Sequence, residues 1–374
     1  MKKQTQLATL FLAASLAAVA QESAPRVFQA NGQWIEEIKG TLPAGKAVKV
    51  KTTAGPIRLT GAAQDTITYT VRKYVHAPSE ESARREFASL RFTAMNSGDT
   101  AMFRGECGDR GYVGFDLSVP AQTAFVRLDT SGGAIAARNI AGKVEAVTGG
   151  ESIQLDAIGA SAYASSGGGD IEIGKVGGDV RVETGGGNIH IDSAGGRIIA
   201  TSGGGTLMVG AGKAMSLKTG GGTIQVNKCE GQVDASTGGG SIDLNAIGGP
   251  AQVESGGGSI HVGPVSAGLR VNTGSGPIVV DLAKGGGAFT DSRLETSAGD
   301  IVVYIPVDLA LTIHAAVEVA RWFGIRSDFP GLKITTGNQQ WGPHEVFAEG
   351  SLNGGGPLLH VHTTTGTIEF KRKK

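Results

Sequence analysis

Apolar and polar residues in this chain recur on two nested beats. The longer beat is 18 residues: Ser166-Gly-Gly-Gly-Asp-Ile171-Glu-Ile173 is followed by Thr184-Gly-Gly-Gly-Asn-Ile189-His-Ile191, and four more clean copies run to Ser255-Gly-Gly-Gly-Ser-Ile260-His-Val262. The anchor apolar residue stands at 135, 153, 171, 189, 207, 224, 242, 260 and 278, so every step is 18 except one of 17. A fixed period of that size marks a repeat architecture. The shorter beat is nine: Gly177-Gly-Asp-Val180-Arg-Val182 and Gly186-Gly-Asn-Ile189-His-Ile191 both read small, small, polar, then apolar-x-apolar. Apolar-x-apolar is the period of a strand with one buried face. Strands this short cannot bury that face alone, but stacked on like neighbours they can. The pattern predicts an all-β parallel β-solenoid (β-helix), with about 18 residues and two short strands per coil.

The corners of such a coil need an explanation of their own. Thr or Ser stands five residues before each anchor, at 130, 148, 166, 184, 202, 219, 237, 255 and 273, followed by the glycine run. A column of hydroxyls can bond along the corner and satisfy backbone groups there. For the glycines, the sequence suggests tight turns that need φ > 0.

Outside 126–283 the period loosens. Residues 21–47 are polar and mixed and read as a lead-in, while Thr52-Thr-Ala-Gly-Pro-Ile57-Arg-Leu59 is an outlying copy and Thr66–Val75 alternates as a strand. Pro78–Leu90 is the one helix candidate, with Ser79 as N-cap and Glu80 and Glu81 ahead of Arg84 and Arg85, the charge order that suits a helix dipole. After Ile278 the run Ala283–Asp291 breaks the period, the next anchor is Ile301, and Leu358–Phe370 is a last copy. The expected organisation is a segment 1–20, an N-terminal β cap with one helix at 21–125, regular coils at 126–283 and a C-terminal β section at 284–374 that closes the solenoid. Caps are expected because an open end exposes both core and strand edge.

Composition changes this picture in two places. Aromatics make up 5% of the 374 residues and Gly numbers 61, so the core must be thin and aliphatic. Residues 1–20 read as a secretory signal: Lys2 and Lys3, an apolar stretch from Leu7 to Ala17, then Ala18-Val-Ala20 before Gln21. The protein is therefore expected to be exported, to the periplasm, cell surface or medium. Removing that segment takes two Lys and no acid from a balanced 34 against 34, which gives no reason to expect nucleic acid as a partner. No other apolar run is long enough to span a membrane. The terminal Lys371-Arg-Lys-Lys374 reads as a solvated tail. Export would permit a disulfide between Cys107 and Cys229, but their separation in sequence leaves the pairing open.

The Thr/Ser-Gly-Gly-Gly-x-Ile-x-Val copies, the segment Thr296-Ser-Ala-Gly-Asp300-Ile-Val-Val-Tyr-Ile-Pro306 and the closing Gly354-Gly-Gly with Thr364-Thr-Gly-Thr-Ile-Glu resemble a family of exported bacterial β-strand-repeat proteins regarded as candidate adhesins. The resemblance spans roughly 48–371. It implies a β-solenoid and surface binding, and it brings no catalytic residues with it.

The residues themselves were weighed for chemistry. A calcium β-roll also repeats on 18, but it needs Gly-Gly-x-Gly-x-Asp, and here the fourth and sixth positions are apolar. A polysaccharide-cleaving site needs acids on neighbouring coils. The outward residues of the first strands run Ala136, Gln154, Glu172, His190, Met208, Gln225, Asp243, His261, Val279, and those of the second Glu145, Tyr163, Arg181, Ile199, Ser216, Asp234, Gln252, Arg270, with no two acids adjacent in either. His190 and His261 fall too far apart to share a ligand. His360-Val-His362 puts two imidazoles on one strand face, with His344 and Glu345 near only in sequence, where zinc wants three or four ligands. No catalytic, cofactor-binding or metal-binding residue is assigned. The function expected is a non-catalytic exported scaffold, adhesin-like, whose partners would be an envelope component, a glycan or a surface protein. Trp322, Phe323, Phe329 and Trp341, in segments that break the repeat, either cap the last coil or form a partner site. The alternative is a carbohydrate-active enzyme with a site among Asp291, Arg293, Asp300, Arg321, Asp328 and Glu345.

If the anchors face inward, Ile224→Asp places an unpaired charge in a thin core, a cost of several kcal/mol. The variant should fail to fold. Soluble protein with a parental melting curve would refute the register.

Overall fold

The computed structural model describes residues 21–373 except 109, 285–288, 321–323, 338–341 and 343. Two long sheets face each other across one continuous apolar core, one of 18 strands and one of 17. Each coil gives one strand to each sheet. In the first sheet the anchors stack in parallel register, Ile135 on Ile153, Ile153 on Ile171 and so on through Ile278. In the second sheet Val126, Val144, Ala162, Val180, Ile198, Met215, Val233, Ala251 and Leu269 do the same. The first-sheet anchors are at most 1% exposed and their second-sheet counterparts at most 4%, so the nine-residue beat is the beat of a sheet with one face in the core. The single 17-residue step falls at a corner: Gly195-Gly196 in one coil is matched by Lys213 alone in the next, and strand register recovers at Ala214.

The hydroxyl column is buried and bonded as the sequence suggests. Ser166 Oγ donates to the Glu151 carbonyl at 2.8 Å and accepts from Gly169 N at 2.9 Å. Ser202, Thr219, Thr237 and Ser255 donate in the same way to the carbonyls of Gly187, Gly205, Gly222 and Gly240, at 2.8–2.9 Å. Each hydroxyl thus ties its own corner to the corner of the coil before it. Asp and Asn add a second tie: Asp170 Oδ1 accepts from Asn188 N at 2.7 Å, and Asn188 Oδ1 from Thr206 N at 2.9 Å.

The reason for the glycines is different from the one expected. From Gly132 to Gly258 the corner glycines do not sit in the left-handed region; positive φ occurs at Gly55, Gly276, Gly299 and a few others nearer the ends. What they provide is close approach. A Cβ on Gly203 would run into the carbonyl oxygen of Gly185, and one on Gly205 into that of Gly187, whereas a Cβ on Gly204 would meet nothing within 4 Å. The first and third glycines of a triplet let successive corners stack; the middle one faces open space.

Both ends of the stack depart from chain order. In the second sheet the spatial order at the N-terminal end is 91–97, 100–106, 47–52, 125–130. In the first it is 33–43, 66–75, 111–120, 57–62, 135–140. The chain enters at the second coil, leaves to build the cap, returns as the outermost coil and then crosses back. The C-terminal end mirrors this. Leu358–Thr365 lies between Ser292–Ala298 and Leu311–Ala320, and Ile368–Lys373 between Ile301–Pro306 and Ile325–Ser327. The last copy of the repeat in sequence is therefore an inner coil in space. At the N-terminal end antiparallel strands close the stack in both sheets, and at the C-terminal end His344–Leu352 does so in the second sheet, which deals with those exposed edges.

Two smaller expectations were off. The lead-in is structured: Gln33–Pro43 is an 11-residue strand, and Ile35, Ile38 and Leu42 are buried. Their three- and four-residue spacing hid it. Lys371–Lys373 is not a solvated tail but the end of the strand Ile368–Lys373, where Lys373 Nζ meets Asp281 at 2.6 Å. The helix forms at Glu80–Phe87 with Ser79 as N-cap, and it buries Ala83 and Phe87. Among the described residues no helix is long and apolar enough to cross a membrane.

The stacking argument separates neighbouring glycines. Gly203→Ala forces two corners apart and should cost about 1–3 kcal/mol. Gly204→Ala should be neutral, or stabilising by about 0.4–1 kcal/mol through the unfolded chain. Chemical denaturation of the two variants measures both; equal effects would refute the close-approach account.

Candidate functional site

The outward side chains form two ladders with one residue per coil. On the first sheet Ala136, Gln154, Glu172, His190, Met208, Gln225, Asp243, His261 and Val279 stand side by side, in the order read from the sequence. Contacts along them are local: Gln154 Nε2 donates to Glu172 at 2.8 Å, His190 meets Asp192 at 2.9 Å, and His261 meets Asp243 at 3.1 Å. His190 and His261 are four coils apart, as expected.

One stretch of the first sheet is concave. A trough of about 540 Å³ crosses the coils from Arg58 to Asp192 and adjoins a second hollow of about 900 Å³ beside the N-terminal cap, with Arg58, Thr60 and Arg138 common to both. Small outward residues make the floor, Ala136 and Gly174 among them, over buried Leu59, Leu155 and Ile173. Asn139 (φ 60°) and Ala157 (φ 52°) adopt the left-handed conformation, rare for residues with a side chain, just beyond the trough floor. The far wall of the second hollow is built by the strands Gln33–Pro43 and Thr66–Val75.

That wall is electrostatically set. Arg72 pairs with Glu37 at 2.8 Å and with Asp116, and Arg58 reaches Asp116 at 3.6 Å. Burial works against the Glu37 carboxylate, but Arg72 and Lys39 outweigh it and hold Glu37 below the usual range. Burial, reinforced by Glu22, pushes the Tyr69 hydroxyl well up, so it stays protonated and donates to Glu22 at 3.1 Å. Arg138 Nε donates to Thr60 Oγ1 at 3.3 Å. Arg58 and Arg138 line the trough and are held through their guanidinium groups, Arg58 by Asp116 and Arg138 by Thr60. Nothing in the sequence pointed here, because residues 58, 116 and 138 meet only through the out-of-order coils.

Among the described residues the C-terminal polar set is not brought together. Asp291 accepts from Leu358 N at 2.8 Å, Asp300 from Thr367 N at 2.8 Å and Asp328 from Arg372 N at 3.1 Å, each tying one coil to the next. Arg293 pairs with Glu295 at 2.6 Å, Glu345 is exposed near the edge, and Arg321 lies outside the described residues. Trp322, Phe323 and Trp341 lie outside them too, while Phe329 is buried at 8% exposure beneath the Arg372 guanidinium. His362 meets Glu318 at 3.0 Å, and His360 is flanked in register by Arg293 and His314. His344, on a neighbouring strand, pairs with Ala320. Among the described residues no three His, Cys, Asp or Glu are grouped to hold a metal ion. Cys107 and Cys229 are both free; Cys229 is buried, which pushes its thiol up.

Comparison with known proteins adds little beyond this. No family model matches the chain, and no curated protein matches it. The chain is similar to solved bacterial proteins regarded as candidate adhesins. A candidate cell adhesion protein from Clostridium sporogenes aligns over 95% of this chain and 100% of its own at 8% identity, with a TM-score of 0.15. A candidate adhesin from Parabacteroides distasonis aligns over 72% and 95% at 13% identity and 0.32, and one from Bacteroides fragilis over 90% and 97% at 11% and 0.24. At those scores no function is carried across, and the fold rests on the register and burial described above.

Burial first, and then Arg293, hold the His360 imidazole below its ordinary value. The unfolded chain therefore takes up that proton more readily than the folded one. Stability from this source is full above the ordinary imidazole range and is lost as pH falls through it. His360→Gln should melt like the parent at pH 8 and keep more of its stability at pH 5. An unchanged pH slope in thermal melts would remove the linkage.

Proposed function

We propose that the protein is an exported, non-catalytic scaffold, adhesin-like, that binds a cell-envelope component, glycan or surface protein along its rod. The observation that carries this reading is the trough. It is concave, it runs across successive coils, and its two guanidinium groups are held by Asp116 and Thr60. Preorganised polar groups over a small-residue floor are what a binding groove for an extended ligand requires. Asp170, Asp291 and Asp300 accept backbone N–H groups and Glu295 pairs with Arg293, which is a structural use.

Export follows from the Lys2-Lys3, Leu7–Ala17 and Ala18-Val-Ala20 pattern, which lies outside the described residues. Removal at Ala20 would leave Gln21 as the first residue, and Gln21 is already paired with Thr41 in the antiparallel cap.

Purified protein beginning at Gln21, as N-terminal sequencing of extracellular or periplasmic material should show, is to be tested against envelope fractions and whole cells. The parent should bind. Arg58→Ala with Arg138→Ala should weaken binding about tenfold or more with an unchanged melting temperature. A parent that binds no surface, glycan or envelope protein would leave a purely structural role in place of the adhesin-like one.

A further inference from the structure

The N-terminal end of the second sheet carries a feature on a different face from the trough. Arg91–Ser97 is the edge strand there, followed in space by Thr100–Glu106, Ala47–Thr52, Phe125–Thr130 and Lys143–Thr148. Met95 and Met102 are partners in register across the first two of these strands, 51% and 42% exposed. Among the described residues they are the two large exposed apolar side chains that face each other across a strand pair. Lys49 is the next residue in their row, and Lys51 stands two positions along the same strand, beside Arg104. Both lysines are exposed.

Charge on this face is lopsided. Its five strands carry six cations and three acids, an excess of three positive charges in a chain that holds 34 of each sign. The acids are engaged: Glu106 meets Arg104 at 3.2 Å, and Glu145 meets Arg127 at 3.2 Å and Lys143 at 2.8 Å. Asp129 lies 3.7 Å from Arg127 as well, and Asp99, in the turn at the edge, is held by Lys46 at 3.2 Å. Lys49, Lys51 and Arg91 enter no ion pair among the described residues. Arg91 has Glu106 across from it and Lys51 has Asp129, each acid already held by another cation. Lys49 stands between Met102 and Arg127, with no acid beside it in the row.

We propose that this face docks the rod on an anionic lipid surface. Long stems let the lysine ammonium groups reach headgroup phosphates while the neighbouring thioether chains enter the boundary with the acyl chains. Electrostatic attraction and buried apolar area are the two terms that hold a peripheral protein on a bilayer, and this patch supplies them side by side. Met is unbranched and polarizable, which suits a fluid partner. An anionic polymer would use the lysines and leave the Met pair in water, so the exposed thioethers favour lipid. Docking at one end of one sheet leaves the trough on the other sheet open. The inference rests on the exported-scaffold reading only for the export that brings the protein to a lipid surface.

The test uses protein beginning at Gln21, sedimented with phosphatidylcholine vesicles that contain or lack phosphatidylglycerol. Binding should require phosphatidylglycerol and weaken with added salt. Lys49→Gln with Lys51→Gln should weaken it about tenfold or more, each basic residue near the surface being worth about fivefold. Met95→Ser with Met102→Ser should weaken it about threefold or more. Lys218→Gln with Lys228→Gln removes the same charge from exposed sites farther along the rod and should leave binding unchanged. Circular dichroism confirms that each variant is folded. Equal binding to phosphatidylcholine alone, or an equal loss in the Lys218/Lys228 variant, overturns the proposal. Loss with the lysine substitutions and none with the methionine substitutions overturns the lipid assignment in favour of an anionic polymer. If the parent binds envelope fractions but not these vesicles, lipid docking falls and the scaffold reading stands. If it binds the vesicles while Arg58→Ala with Arg138→Ala leaves envelope binding intact, the trough reading falls and lipid docking stands.

Discussion

The corner bond between a Thr or Ser hydroxyl and the carbonyl of the preceding coil sets the spacing on which everything else depends. It can form only where two corners approach within hydrogen-bond distance, and that approach is open only where the first and third corner residues lack a Cβ. Once corner is locked to corner, the strands on either side have no freedom of register. The anchors must then fall on one another, and the core becomes a single column of Ile, Leu and Val rather than a jigsaw. The 17-residue step shows where tolerance lies. It removes a residue from the opposite corner, at Lys213, while the Thr219 hydroxyl still reaches the Gly205 carbonyl at 2.8 Å.

Where the period of 18 is unbroken the fold was readable in the sequence, down to the neighbours of Glu172 and His261 on the outward ladders. Strand identity, inward and outward faces and the role of the hydroxyls all follow from a local rule applied repeatedly. The purpose of the glycines did not follow, because tight turning and close stacking ask for the same residue. Order at the ends was also hidden. A copy of the repeat such as Thr363–Ile368 announces that it is a coil but not which coils it sits between, since its edges match any of them. The trough depends on that missing information. Arg58 comes to line one trough with Arg138, and Arg293 comes into register with His360, through insertions that no one-dimensional pattern encodes.

A stack of this kind separates support from display. The buried face of each strand is nearly uniform and tolerates little, whereas the outward residue of each coil contributes nothing to the corner bond. Side chains on the ladders are held at fixed spacing on a stiff backing, and neighbouring positions are chemically unlike. The trough shows how such a surface acquires shape: small residues at Ala136 and Gly174, left-handed backbone at Asn139 and Ala157, and a cap that rises beside them.

The interleaved ends also have a mechanical meaning. In a stack built in chain order, tension on a terminus would peel the last coil away one bond at a time. Here the C-terminal strands Leu358–Thr365 and Ile368–Lys373 each lie between two parallel neighbours. A pull on that end must slide a strand out lengthwise, loading its hydrogen bonds on both sides together, in shear. The out-of-order coil turns the place where a repeat rod would be expected to unravel first into a clamp.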